Sequence, residues 1–223
     1  MKQIHASSSF ISKLETGEMF VEITLVRHGP SCCRSHGRCS AKQFKEWVKS
    51  YDQMGILQEP VVPLDTIRKC QESSVIITSL LTRAVESTSV LLSGIEKKII
   101  QSNMFREAEL PVIDRMPSFV RLKPDRWVLV FRALWMAGYG GENETFRQAR
   151  RRAEKASDTL VEYARIHSKV VVVGHGIFNM MVAKELIKKG WKGEYPPSRH
   201  HFCCTTYVQM EEKHESLLNG NGH

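Results

Sequence analysis

Two histidines each follow an apolar run and stand beside glycine: Val26-Arg27-His28-Gly29 in the stretch EITLVRHGPSCC, and Gly174-His175-Gly176 in VVVVGHGIF. A glycine at such a place lets backbone approach a ligand closely, and backbone N–H groups there can face an anion. A third apolar run, in SVIITSLLTRAVEST, leads into Ser79 and then Arg83. Ser79 is read as the cap of a helix whose first turn carries Arg83, and a helix N-terminus with an arginine favours a phosphate. A fourth run, in IIQSNMFREAELP, delivers Glu107 and Glu109. A carboxyl group beside an anion site is a candidate proton donor.

These residues need strands to deliver them to one edge. Short β-branched runs predict strands at Glu22 to Val26, Ser74 to Thr78, Lys97 to Ser102 and Lys169 to Gly174, with a last one in FCCTTYVQM, Phe202 to Met210. Helical spacing alternates with them. Phe44, Trp47, Val48 and Tyr51 share one face, and Phe146, Ala149, Ala153, Ala156, Leu160 and Ala164 share a longer one. Asn143 is the expected cap of that long helix, and Gly190 closes a helix from about Asn179 to Lys189. Such alternation predicts an α/β fold, a three-layer α/β/α sandwich with a largely parallel sheet, whose ligands bind beyond the carboxyl ends of the strands. Both histidines should meet there.

The expected organisation is an N-terminal extension over residues 1–18, one domain over 19–210 and a polar tail over 211–223. Within the domain, Pro111 to Gly141 is aromatic, basic and broken by Pro and Gly. A loop-rich insert of that length is expected to cover the site. In it, Arg115, Arg121, Lys123, Arg126 and Arg132 are available to anionic groups, and Trp127 or Trp135 to apolar contact.

The 223 residues are 42% hydrophobic and carry a formal charge of +8, which favours anionic partners. No run approaches the roughly 20 apolar residues of a membrane span, and the opening lacks the apolar core of a signal peptide. The expectation is a cytoplasmic protein with reduced cysteines and no membrane partner. Cys33, His36 and Cys39 are close enough to share a zinc ion, with HHFCC at His200 to Cys204 supplying a fourth ligand, but paired CxxC spacing is absent. No metal or other cofactor is therefore expected. Arg147 to Lys155, RQARRRAEK, reads as the solvated face of the long helix and not as a nucleic-acid surface.

The motifs VRHG, SLLTRAVES, FREAEL and VVGHG, in this order between about Glu22 and Met210, resemble those of the histidine phosphatase superfamily with its phosphoglycerate-mutase-like fold. That resemblance implies a phosphatase acting on a small phosphorylated substrate, with His28 as nucleophile, Glu107 as proton donor and Arg27, Arg83 and His175 around the phosphoryl oxygens. Glu109 is the rival donor. Where such proteins usually place a phosphate-binding asparagine, this chain has Arg34, whose fork of donors suits phosphate or a surface ion pair equally. Neutral imidazole is available near pH 7, and neighbouring cations disfavour its protonated form. A mutase of the same fold and a non-catalytic anion- or partner-binding protein are the alternatives. The sequence leaves the oligomeric state open.

Overall fold

The structure, a computed structural model, describes residues 19–33, 37–113 and 115–211. Strands β1 (Met19–Arg27), β2 (Val75–Thr78), β3 (Lys98–Gln101), β4 (Lys169–Gly174) and β5 (Cys204–Glu211) form one sheet in the order β3-β2-β4-β1-β5. The first four run parallel, and β5 lies antiparallel against β1. Helices α1 (Ala41–Gln53), α2 (Leu64–Glu72), α3 (Thr82–Leu91), α4 (Pro124–Met136), α5 (Phe146–His167) and α6 (Gly176–Lys188) complete the described part. No helix of the described residues is long and apolar enough to cross a membrane.

Strand β4 shows why the sheet needs helices on both sides. Its valines alternate: Val170 and Val172 join the core of one face, Val171 and Val173 that of the other. On the first face Ala149, Ala153, Ala156, Leu160 and Ala164 of α5 pack with Phe178, Val182 and Leu186 of α6. Alanines at steps of three and four let α5 lie close to the strands. On the second, Cys70 of α2 and Leu91 of α3 cover Val26, Ile76, Val171 and Val173. The expected sandwich is therefore present, with β5 as its antiparallel edge and β1 extended through Arg27.

Several local expectations are corrected. Thr145, not Asn143, caps α5, because Thr145 and Gln148 exchange side-chain and backbone hydrogen bonds in a capping box. Helix α3 begins at Thr82 after Leu81, and Ser79 makes no cap for it. Helix α6 starts directly after His175, three residues before Asn179, while Gly190 ends it with φ of 86°. Strand β5 begins at Cys204, since Phe202 has φ of 58°, and it continues through Glu211.

The insert is less loop-rich than its composition suggests, since it carries the 13 residues of α4. Phe131 and Trp127 of α4 stack with Phe44 of α1, with ring centroids 5.8 and 6.3 Å from it, and form a third core separate from the sheet. Trp127 is fully buried and its Nε1 donates to the Cys39 carbonyl at 2.8 Å. Trp135 is buried as well, donating to the Glu144 carbonyl. Both tryptophans hold the insert in place and neither is open to a ligand.

Trp127→Ala should lower the unfolding free energy by about 3–5 kcal/mol, the usual cost of emptying a large aromatic site. Denaturant unfolding measures it; a loss below about 1 kcal/mol would mean that α1 and α4 do not share this core.

Candidate active site

Register fixes the centre of the site. Arg27 pairs with Gly174 across β1 and β4, and the His28 N–H donates to the Gly174 carbonyl at 3.0 Å. His28 and His175 thus sit side by side at the carboxyl edge, ring centroids 5.1 Å apart. Thr78 pairs with Val173 on the other side of β4, so Ser79 joins them, its Oγ 2.8 Å from His175 Nε2. Ser79 serves that histidine where the sequence suggested a helix cap.

His28 is buried, and its Nδ1 lies 2.7 Å from the Gly29 carbonyl. A carbonyl oxygen only accepts, so Nδ1 carries the ring proton and Nε2 keeps its lone pair. Burial is the main cause that pulls the His28 pKa down to about 2, with His175 and Arg83 adding to it. The cations expected to keep this ring neutral are secondary to desolvation. His175, wholly enclosed, is likewise held well below the usual range, by burial first and by Arg83 and Arg27 next.

Arg27 and Arg83 flank the pair. Arg27 Nη1 donates to the Arg199 carbonyl. Arg83, in the first turn of α3 and 1% exposed, donates from Nη1 to Asp52 Oδ1 at 3.1 Å and to the Tyr51 carbonyl at 3.3 Å, and lies over the Tyr51 ring. Arg27 Nε, Arg83 Nε and His175 Nδ1 are buried with no hydrogen-bond partner among the described residues. Buried nitrogens of this kind suit an oxyanion. Asp52 faces the same cleft, and burial raises its pKa against the opposing pull of Arg83.

Backbone amides do not play the part expected of them. The Gly29 N–H donates to Ser87 Oγ at 2.8 Å. At the start of α6, Ile177 N–H donates to Glu107 Oε2 at 3.3 Å and Phe178 N–H to Oε1 at 2.9 Å; Ala108 N–H also donates to Oε1. The helix terminus thus holds the protein's own carboxylate, which leaves the side-chain nitrogens of the cleft to meet any anion there. Glu109 turns elsewhere: its Oε2 accepts from the Glu144 N–H and its Oε1 lies 3.5 Å from Arg106. Both glutamates border the cleft, on opposite duties.

That cleft encloses about 1140 Å³. Its floor has Arg27, His28 and Arg83; its walls have Trp47, Val48 and Tyr51 of α1 and the segment Leu110 to Ile113. Of the insert's cations, Arg115 and Arg132 border it, and Arg121, Lys123 and Arg126 do not. Arg132 spends Nη1 and Nη2 on the carbonyls of Glu109 and Ala108. Arg34 and His36 lie outside the described residues, so neither the phosphate role of Arg34 nor the full Cys33, His36 and Cys39 cluster is placed. Among the described residues no three His, Cys, Asp or Glu side chains are grouped to hold a metal ion. His201, considered as a metal ligand, instead places Nδ1 2.8 Å from the His28 carbonyl, to which it donates.

Asp52, His201, Glu144 and Arg152 are the site-forming residues that sequence reasoning missed. Only Arg152 left a signal: it falls on the helix face set aside as solvated, yet its side chain is 12% exposed. Its position three residues after Ala149 and four before Ala156 puts it at the margin of the apolar stripe.

Comparisons with known proteins point the same way. The sequence pattern of the histidine phosphatase superfamily (branch 1) matches residues 65–221, a span containing Arg83, Glu107 and His175, with His28 ahead of it. No curated protein matches the chain. Among solved structures, phosphoglycerate mutase from Bacillus anthracis is 18% identical, with 87% of this chain and 90% of that one covered and a TM-score of 0.57. Mycobacterial hydrolase 1 is 14% identical over 85% of this chain and 91% of its own, with a TM-score of 0.56. Mycobacterial glucosyl-3-phosphoglycerate phosphatase, solved with VO3, is 13% identical over 86% and 97%, with a TM-score of 0.51. At these identities the likeness is one of fold.

The depressed His28 pKa has a sign that can be tested. Below pH 6.5 the unfolded chain binds a proton at this residue that the folded chain refuses down to pH about 2. Stability from His28 is therefore full above pH 6.5 and falls as the solution is acidified. Between pH 7 and pH 5 wild type should lose about 2 kcal/mol more than His28→Gln, at about 1.4 kcal/mol per pH unit. Parallel denaturant titrations of the two at both pH values measure the difference, and equal losses would contradict a buried neutral ring.

Proposed function

Because the chain belongs to the histidine phosphatase superfamily, we propose that it is a phosphomonoesterase that moves the phosphoryl group of a small phosphorylated substrate to His28 and then to water. The observation that carries this reading is His28 itself, with Nδ1 tied to the Gly29 carbonyl and the residue lining a cleft shared with Arg27, Arg83 and Glu107.

The Nε2 lone pair attacks phosphorus in line, the bond to the ester oxygen breaks, and the departing oxygen takes a proton from Glu107. As the ring gains positive charge, the Gly29 carbonyl stabilises it through Nδ1–H. Arg27, Arg83 and the unpartnered Nδ1 of His175 receive the equatorial oxygens, where charge spreads in a loose transition state. Arg83 then exchanges part of its contact with Asp52 for phosphate. In the second half Glu107 takes a proton from water, the oxygen attacks phosphorus, and the P–N bond breaks with its electron pair returning to Nε2. The segment 111–141 acts as a cap, with Arg115 among the residues that line the cleft. This chemistry passes no electrons to or from a cofactor.

Brief incubation with labelled substrate should mark wild type with an acid-labile, base-stable phosphoryl group, release inorganic phosphate and yield no isomerised ester. His28→Ala should fold, take no label and release nothing. Label retained by that variant would falsify the assignment, and an isomerised product would make the protein a mutase.

Glu107→Gln should slow phosphoryl transfer from an alkyl phosphate by about 10²- to 10⁴-fold and from an aryl phosphate far less, because phenolate leaves without a proton. Single-turnover labelling of His28 isolates the step. The same contrast in Glu109→Gln would transfer the role to Glu109.

A further inference from the structure

Arg152 uses all five of its N–H donors, three on the segment that carries Glu107 and two on Glu144. Nε donates to Glu144 Oε1 at 2.7 Å and Nη2 to Glu144 Oε2 at 2.6 Å, a two-pronged ion pair whose side chains are 12% and 7% exposed. Nη1 donates to the carbonyls of Met104 at 2.8 Å and Arg106 at 2.9 Å, and Nη2 also reaches the Glu107 carbonyl at 3.4 Å. The guanidinium carbon lies 3.9 Å from the centre of the Phe178 ring. Phe178 is the residue whose N–H holds Glu107 Oε1.

We propose that Arg152, anchored by Glu144, is a positioning residue that sets the Glu107 carboxyl for proton transfer to the leaving group. The inference rests on the reading of Glu107 as the proton donor. Three carbonyl oxygens of residues 104, 106 and 107 converge on one point, an arrangement that repels itself unless a cation with several directed donors fills it. The guanidinium does so from behind the segment. Through Phe178 it also packs on the first turn of α6, which grips the carboxyl from the other side. Glu107 is thereby fixed at both ends, backbone and carboxylate, by groups that touch neither phosphate nor the departing oxygen. Lysine in place of Arg152 keeps the charge and loses the fork: its three donors on one nitrogen cannot serve Glu144 and three carbonyls together.

A clamp that only stabilised the fold would slow every substrate alike. A clamp that aims the acid makes Arg152→Lys resemble Glu107→Gln. Single-turnover phosphorylation of His28 should fall about 10-fold or more with an alkyl phosphate, and by no more than about 3-fold with an aryl phosphate. In the Glu107→Gln background Arg152→Lys should add nothing further, because the group it aims is gone. Glu144→Gln, which keeps the guanidinium but weakens its anchor, should shift both rates in the same direction by less, and it answers the question if Arg152→Lys does not fold. Equal losses on the two substrates, or full additivity with Glu107→Gln, would overturn the clamp and leave the phosphatase reading standing. A Glu107→Gln variant with no leaving-group contrast would remove the proton donor and the clamp with it. Absence of His28 labelling in wild type would remove the phosphatase reading first.

Discussion

The pairing of β1 with β4, Arg27 opposite Gly174, is the constraint on which the rest of the structure depends. Side chains alternate along a strand, so a slip of one residue would send Val26 to the face of Leu25 and carry His28 away from His175. The valines of β4 hold the register because each is committed to one of two different cores. Hydrophobic patterning that looks purely structural thus sets the distance between two histidine rings. Ser79, Glu107 and the start of α6 take their places from that pair: Ser79 by hydrogen bond to His175, and Glu107 through the amides that follow it.

Electrostatically the centre combines two features that ordinarily conflict. Two arginines bring positive charge to a buried place, and two histidines beside them stay neutral because burial and those same arginines oppose protonation. The result is a neutral imidazole that keeps a lone pair inside a cationic cradle. Asp52 moderates it: its contact with Arg83 satisfies one face of a guanidinium that is 1% exposed, and the carboxylate itself is 51% exposed. Arg83 is thus already oriented by its partner, and under the proposed reaction exchanging that contact for phosphate costs less than ordering a free side chain.

Much of this was legible in the sequence. Strand ends are where an α/β sheet offers its ligand site, so VRHG, GHG and FREAEL could be assigned to one edge before any distance was known. Helix punctuation was harder: Thr145 and Asn143 are both good caps, and only the reciprocal bond with Gln148 separates them. Trp127 and Trp135 illustrate a different limit. A tryptophan in an insert serves a ligand or a core equally well on paper; Phe44 on a distant helix decides it for Trp127, and the sheet core with Phe146 decides it for Trp135. Asp52 and His201 left no pattern: Asp52 lies at the end of a helix whose spacing is set by its apolar face, and His201 lies in the turn ahead of β5.

Arg152 sharpens the point, because charge runs on helices are usually read by their average. In RQARRRAEK, Arg147, Arg150 and Arg151 face solvent and Arg152 does not, although all four have the same composition-level signature. The helix period separates them: Ala149, Ala153 and Ala156 define the stripe against the sheet, and Arg152 borders it. A long side chain at that border carries its charge past the small alanines to whatever lies at the edge of the sheet, here the carbonyls of the segment after β3. The alanines that bring α5 close to the strands therefore also let an arginine from that helix reach behind Glu107. Packing and site geometry are two consequences of one residue spacing, which is why a core of small residues and a buried five-donor arginine occur together on this helix.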